Sequence, residues 1–145
     1  MNDRDSQHST ERFGDDFAAR LADLEARATA EEQAAIAALP SGSALLIVRR
    51  GPTVGARFLL DQDVTIAGRH PDADIFLDDV TVSRRHAEIS RSGSTFTISD
   101  LESLNGIFVD GERVPSSVLT DGTEVHVGKY RMTFYPSRHD PQAGS

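Results

Sequence analysis

From Ser43 to Tyr135 the chain repeats one pattern, a short apolar or alternating run followed by a turn of Gly, Asp, Asn or Pro. "SALLIVRR" and "ARFLL" flank "GPTVG"; "VTIAG" ends at Gly68; "ADIFL" runs into two aspartates; "HAEISR" and "TFTISD" flank "SGS". "GIFVDGERV" is two runs around Asp110-Gly111, and "TEVHVGKYRMTFY" is two more around Gly128-Lys129. Short runs of this kind are strands, and the Gly-containing dipeptides between them are hairpin turns. No helical periodicity separates them, which excludes a parallel α/β sheet. The pattern predicts an all-β fold, a two-sheet sandwich of about ten to eleven strands over residues 43–136, with 137–145 a flexible end.

The composition changes at Leu39-Pro40-Ser41-Gly42. Before it lie nine acidic and four basic residues, many alanines and few β-branched residues. Residues 1–42 therefore form a separate amino-terminal tail. Within it Phe13, Phe17, Leu21, Leu24 and Ala28 recur at spacings of three or four, which stacks them on one helical face and predicts an amphipathic helix from about Asp15 to Leu39. The charge content fits a largely disordered tail equally well. Both readings stay open at this level.

Composition also removes whole classes of function. The chain of 145 residues has no cysteine, so disulfides and thiolate metal sites are excluded and a cytoplasmic location is expected. No run approaches the roughly 18 apolar residues of a membrane span, and "MNDRDSQHSTERF" has no apolar leader core. A formal charge of −8 argues against a nucleic-acid partner, which needs a basic face. His8, His70, His86, His126 and His139 lack ligand spacing, so neither a metal nor a cofactor is expected.

Against that acidic background, cations and small polar groups gather in three inter-strand segments: "GRHPDA", "DVTVSRRH" and "LESLNG". Arg69 offers a planar fork able to grip two oxygens of one phosphate. Ser83 offers a hydroxyl and neighbouring backbone amides, Arg84 adds a second cation, and the Asn105 amide can hold the backbone of a bound peptide. Gly68 and Gly106 permit sharp turns. His86, entering the next strand, is placed to brace the loop from within.

Gly68-Arg69, then Ser83-x-x-His86, then Asn105-Gly106, each between strands, resembles the forkhead-associated (FHA) domain, a phosphothreonine-binding β-sandwich, over about Ser43 to Tyr135. The resemblance implies that Arg69 and Ser83 bind phosphate, that Arg84 and Asn105 contact phosphate or peptide, and that Gly68, His86 and Gly106 are structural. "AGRHPDADIFLDDVTVSRRHAE" and "SLNGIFVDGERV" are further similar to the small actinobacterial FHA regulators of the GarA and OdhI group, the latter inhibitors of 2-oxoglutarate dehydrogenase. Such proteins carry a tail with a Glu-Thr-Thr-Ser-Val-Phe phosphorylation motif. Here the corresponding stretch is "HSTERFGDDF": Thr10 falls on the second threonine, Ser9 replaces the first, and His8 stands where the family has an acid.

The partners so implied are Ser/Thr protein kinases, metabolic enzymes of the 2-oxoglutarate dehydrogenase or glutamate dehydrogenase type, and the chain's own tail phosphorylated at Thr10, with Ser9 the lesser site. The implied function is a kinase-controlled switch; the alternative is a passive phosphothreonine-reading adaptor. Catalysis has little support. Ser83 and His86 share one short loop without a nucleophile elbow or a third group. "GTEVHVGKY" has the wrong glycine spacing for a P-loop and ends in Tyr130 where a magnesium-binding hydroxyl belongs. The chain is expected not to be an enzyme.

Overall fold

The structure, a computed structural model, describes residues 28–140. Eleven strands follow one another: β1 (Ala44–Arg50), β2 (Arg57–Leu60), β3 (Val64–Gly68), β4 (Ile75–Phe76), β5 (Ala87–Ser92), β6 (Thr95–Asp100), β7 (Ile107–Val109), β8 (Glu112–Val114), β9 (Ser116–Leu119), β10 (Glu124–Val127) and β11 (Tyr130–Pro136). A six-stranded sheet in the order β2-β1-β11-β10-β7-β8 faces a five-stranded sheet in the order β4-β3-β5-β6-β9. All pairs are antiparallel except β3 with the short β4. Ten of the strands coincide with runs read from the sequence. The other, β9, is "SSVL", which has no alternation of its own; it forms because β6 offers it an edge, pairing Phe96 with Leu119 and Ile98 with Ser117.

Alternation sorts the side chains between the two faces. From β1, Ala44, Leu46 and Val48 enter the inter-sheet core, where they join Ile89, Ile98, Val125 and Met132. Phe96 and Phe134 meet edge to face there, 5.5 Å between centroids, and tie one sheet to the other. Leu45 and Ile47 point the other way, yet both are buried. A helix covers them.

That helix, α1 (Ala30–Ala37), begins at a capping box. The Glu32 amide donates to the Thr29 hydroxyl at 3.1 Å, and the Thr29 amide donates to Glu32 Oε1 at 2.9 Å. Ile36 and Leu39 then pack on Leu45, Ile47 and Tyr135, with Ala28 and Ala35 at the margin. The Arg49 guanidinium ties the amino end down: Nη1 lies 2.7 Å from Glu32 Oε1, and Nη2 donates to the Tyr135 hydroxyl at 2.7 Å. So the chain joins the sandwich at Ala28, well before the composition boundary at residue 42. Of the apolar stripe read from the sequence only Ala28 is described; Phe13, Phe17, Leu21 and Leu24 lie outside the described residues, as do Ser9 and Thr10.

The helix runs antiparallel to β1. Its carboxyl end sits at the start of that strand, where the buried Ser137 donates to the Leu39 carbonyl at 3.0 Å. Beyond β11 the turn is held as far as Asp140, whose carboxylate accepts from the Gly42 amide at 2.6 Å and from the Ser41 hydroxyl.

Candidate functional site

Backbone hydrogen bonds lace the loops at one end of the sandwich into a rim. Gly68 closes β3 against the β4–β5 loop so tightly that an added Cβ would stand 2.0 Å from the Arg84 carbonyl oxygen, which leaves room only for glycine. The Arg69 amide donates to the Ser83 carbonyl at 2.9 Å, and the His70 amide to the Arg84 carbonyl at 3.3 Å. Arg69 and Ser83, fourteen residues apart in sequence, are thereby neighbours.

His86 joins this pair to the β6–β7 loop. It is fully buried; its Nδ1 accepts from the Ser83 amide at 3.0 Å, and its Nε2 lies 2.7 Å from the Gly106 carbonyl oxygen. Because an amide can only donate and a carbonyl can only accept, the network assigns the neutral tautomer with hydrogen on Nε2. The imidazole therefore braces the loops and does not reach solvent.

The same loop is fixed from its other side. Ser83 Oγ accepts from the Leu104 amide at 3.1 Å, which leaves its hydroxyl hydrogen free to donate outward. Asn105 Nδ2 donates to the Thr81 carbonyl at 2.9 Å. The Gly106 amide donates to Ser103 Oγ at 2.8 Å, and the Ser103 hydroxyl to Asp100 at 2.6 Å. Arg69, Arg84 and Asn105 are exposed and Ser83 is half-buried. Among the described residues neither Arg69 nor Arg84 is in an ion pair. All four sequence-read binding residues thus stand on one rim, around a space lined by donors.

Two further cations belong to it that sequence reading missed. Lys129, in the β10–β11 turn, donates its amide to Thr81 Oγ1 at 3.0 Å. Arg113, on β8, lays its guanidinium over Gly106, where a Cβ would come within 2.4 Å of Nε and where φ is +79°. Lys129 follows a turn glycine and had a local signal; Arg113 had none, because only strand register carries it there. Asp79 reports the resulting field. Hydrogen bonds from the Thr81 hydroxyl and amide, and then the charges of Lys129 and Arg69, hold its carboxyl below the usual range.

On the other side of Arg84 opens a cavity of about 360 Å³ lined by Ile66, His70, Asp72, Ala73, Asp74, Arg84 and Arg85. Its wall carries two carboxylates, Asp72 and Asp74, beside its two arginines, whereas the rim gathers donors from three loops. Among the described residues no cluster suits a metal ion, and no helix is long and apolar enough to cross a membrane.

The family model of the FHA domain matches residues 65–128, from β3 to the β10–β11 turn, and so takes in every rim residue named above except Lys129. The chain is 52% identical over 140 residues to the glycogen accumulation regulator GarA of Mycolicibacterium smegmatis, covering 94% of this chain and 87% of that protein. The chain belongs to the FHA-domain family. A second relative is the oxoglutarate dehydrogenase inhibitor of Corynebacterium jeikeium, 59% identical over 101 residues and 70% of either chain. Among solved FHA structures, one from a study of phosphothreonine-dependent FHA interactions superposes with a TM-score of 0.60 at 32% identity, over 64% of this chain and 95% of that one. Mycobacterium tuberculosis EmbR in complex with a low-affinity phosphopeptide superposes with a TM-score of 0.62 at 31% identity, over 83% of this chain and 29% of EmbR. Relatives named as regulators and inhibitors, around a binding module, make this FHA protein a regulator and not an enzyme.

Proposed function

We propose that this FHA protein reads phosphothreonine at the rim and acts as a kinase-controlled switch on 2-oxoglutarate metabolism. The observation that carries the reading is the convergence of Arg69, Ser83, Arg84 and Asn105, from three loops, around one donor-lined space with no ion pair among the described residues to satisfy its arginines. A phosphate dianion fits such a set: the Arg69 fork takes two oxygens, Ser83 donates its free hydroxyl hydrogen, and Arg84 neutralises the remaining charge. Asn105, with its amide nitrogen engaged by Thr81, presents its oxygen to the backbone of the bound segment. Phosphorylated segments of Ser/Thr kinases are suitable ligands.

In the unmodified state the protein binds and restrains an enzyme of the 2-oxoglutarate dehydrogenase type, a reading supported by the name of the Corynebacterium relative; a glutamate dehydrogenase-type enzyme is the second target class. Phosphorylated Thr10 then turns the tail into a competing ligand. The direction of α1 supports closure. Its amino end sits beside Arg49, and Gly51 two residues on packs against the Lys129 carbonyl, so the chain enters the fold at the rim end of the sandwich. The proposed tether is therefore the roughly 18 residues from Thr10 to Ala28, a length that as coil would span about 24 Å.

If a phosphothreonine peptide binds with a dissociation constant of about 1 μM and the tether supplies about 1 mM, closed states outnumber open ones roughly a thousandfold. Calorimetry tests this. A phosphothreonine peptide should bind the unmodified chain, and should bind at least about 100-fold more weakly once Thr10 is phosphorylated. Ser9 should substitute poorly, because serine lacks the methyl group that makes an apolar contact. Equal affinity for both forms would leave the passive adaptor as the function. In parallel, unmodified protein should capture 2-oxoglutarate dehydrogenase from a lysate, and the Thr10-phosphorylated form should not.

A further inference from the structure

The β6–β7 loop holds chemistry that ligand binding does not use. An asparagine followed by glycine, as Asn105 is by Gly106, can close on itself. The glycine nitrogen attacks the side-chain carbonyl carbon to form an imide ring, and no Cβ stands in the way. The chain's other asparagine, Asn2, is followed by Asp3. What distinguishes Asn105 further is the set of groups around the bond to be formed.

The Gly106 amide donates to Ser103 Oγ at 2.8 Å, and the Ser103 hydroxyl donates to Asp100 Oδ1 at 2.6 Å, so a path for the amide proton ends on a carboxylate. The Ser103 amide, 3.2 Å from the same oxygen, keeps that carboxylate in place, and both residues are half-buried. The Arg113 guanidinium lies over Gly106, close to where ring closure creates negative charge. Asn105 Nδ2 donates to the Thr81 carbonyl at 2.9 Å, which fixes the carboxamide, while the exposed side chain admits water. A relayed base, a nucleophile, a held electrophile and a cation are the parts of an acyl-transfer site.

We infer that Asn105 is a self-modifying site, at which the Gly106 nitrogen displaces ammonia from the Asn105 carboxamide with the help of Ser103, Asp100 and Arg113. The Gly106 amide proton passes to Ser103 Oγ as the Ser103 proton passes to Asp100. The bond from Gly106 nitrogen to Asn105 Cγ forms, and the side-chain oxygen takes the negative charge beside Arg113. A proton then returns to Nδ2, the Cγ–Nδ2 bond breaks and ammonia leaves. Water opens the imide at either carbonyl, giving aspartate or its isoaspartyl isomer; in sum, amide and water become acid and ammonia. Both products place a carboxylate beside the arginines of the rim. The isoaspartyl form also lengthens the backbone just before the Gly106 carbonyl that His86 holds. An aged rim therefore loses anion affinity, a consequence that rests on the phosphate reading above, whereas the chemistry does not.

The experiment incubates full-length unmodified wild type, Ser103→Ala and Arg113→Gln at neutral pH, well below the melting temperature. Mass spectrometry then follows the peptide that carries residue 105, with fragmentation that separates aspartate from isoaspartate. Wild type should gain about 1 Da there, the difference between amide and acid. Ser103→Ala should react about tenfold or more slowly as the proton relay is lost, and Arg113→Gln several-fold more slowly. The Ser103 result is diagnostic, because a merely structural role predicts the opposite: freeing the Gly106 amide and loosening the loop would speed the reaction. If Ser103→Ala is poorly folded, Arg113→Gln decides, since it sits on the edge strand β8 and leaves the Ser103 contacts intact. No mass gain at residue 105 in wild type, a folded Ser103→Ala as fast as wild type or faster, or an unchanged rate in Arg113→Gln would overturn the inference. Calorimetry of the aged protein and of Asn105→Asp tests the consequence, and phosphothreonine-peptide affinity should fall about tenfold or more. Mass gain with unchanged affinity would keep the self-modification and overturn the phosphate reading instead.

Discussion

The rim and the helix-covered face both place polar groups at the margin of an apolar core, but they divide the work differently. At the rim the groups that hold the loops, His86 and Ser103 with Asp100, are distinct from the exposed arginines proposed to face a ligand, Arg69 and Arg84, while Ser83 and Asn105 take part in both layers. At the helix one ion pair, Glu32 with Arg49, fixes the amino end of α1, the point from which the proposed tether would start. A rim built in two layers can lose ligand affinity without losing stability. The helix has no such separation, so under the proposed switch whatever loosens it would also lengthen the tether.

The largest expected effect strikes the inner layer of the rim. His86→Ala strands the Ser83 amide and the Gly106 carbonyl and leaves a void, so it should cost about 3 kcal/mol of stability and lower the melting temperature by roughly 10–20 °C. An unchanged melt would erase the distinction between the layers. Arg69→Ala should do the converse: phosphothreonine-peptide affinity falls about 100-fold as the bidentate charged contact is lost, while the melting temperature stays near wild type. Retained affinity in calorimetry would show that the anion binds elsewhere.

Ser83→Ala sharpens the comparison, because this hydroxyl serves both layers by accepting from Leu104 and facing outward. Affinity should fall about tenfold, with stability changed by less than about 0.5 kcal/mol because the contact is only half-buried; paired melts and titrations measure both.

The smallest effect is at the helix. Glu32→Gln keeps a capping-box acceptor but loses the charge facing Arg49, which should cost about 1 kcal/mol. Its pH dependence is the clearer signature. Burial alone would raise the Glu32 pKa, but the Thr29 amide, the Arg49 hydrogen bond and the charges of Arg49 and Arg57 together outweigh it and lower the value. A lowered folded pKa means stabilisation that is complete above the ordinary carboxylate value and is lost as pH falls through the lowered one. Melts of wild type and Glu32→Gln should therefore differ at neutral pH and converge in acid. A constant gap would mean that the charge of Glu32 does not hold the helix.

Much of this molecule was legible along the chain. Period-two runs and Gly-containing turns determine strands and hairpins locally, so ten of the eleven strands could be read without a partner in view. The residues of the proposed phosphate cradle could be picked out too, since Arg, Ser and Asn in loops have few apolar reasons to be there. Tertiary structure alone decided what depends on strand register and on long-range packing. "SSVL" becomes a strand only beside β6. Lys129 and Arg113 reach the rim only because β10, β11 and β8 bring them there, and Phe108 meets His126 only through the pairing of β7 with β10. The direction of α1 was equally hidden: an amphipathic stripe says that one face will be buried, but which sheet buries it, and at which end the chain then enters, is settled by Arg49 and Tyr135 on strands far apart in sequence. Local periodicity encodes a face; its partner comes from contacts between residues that the sequence keeps apart.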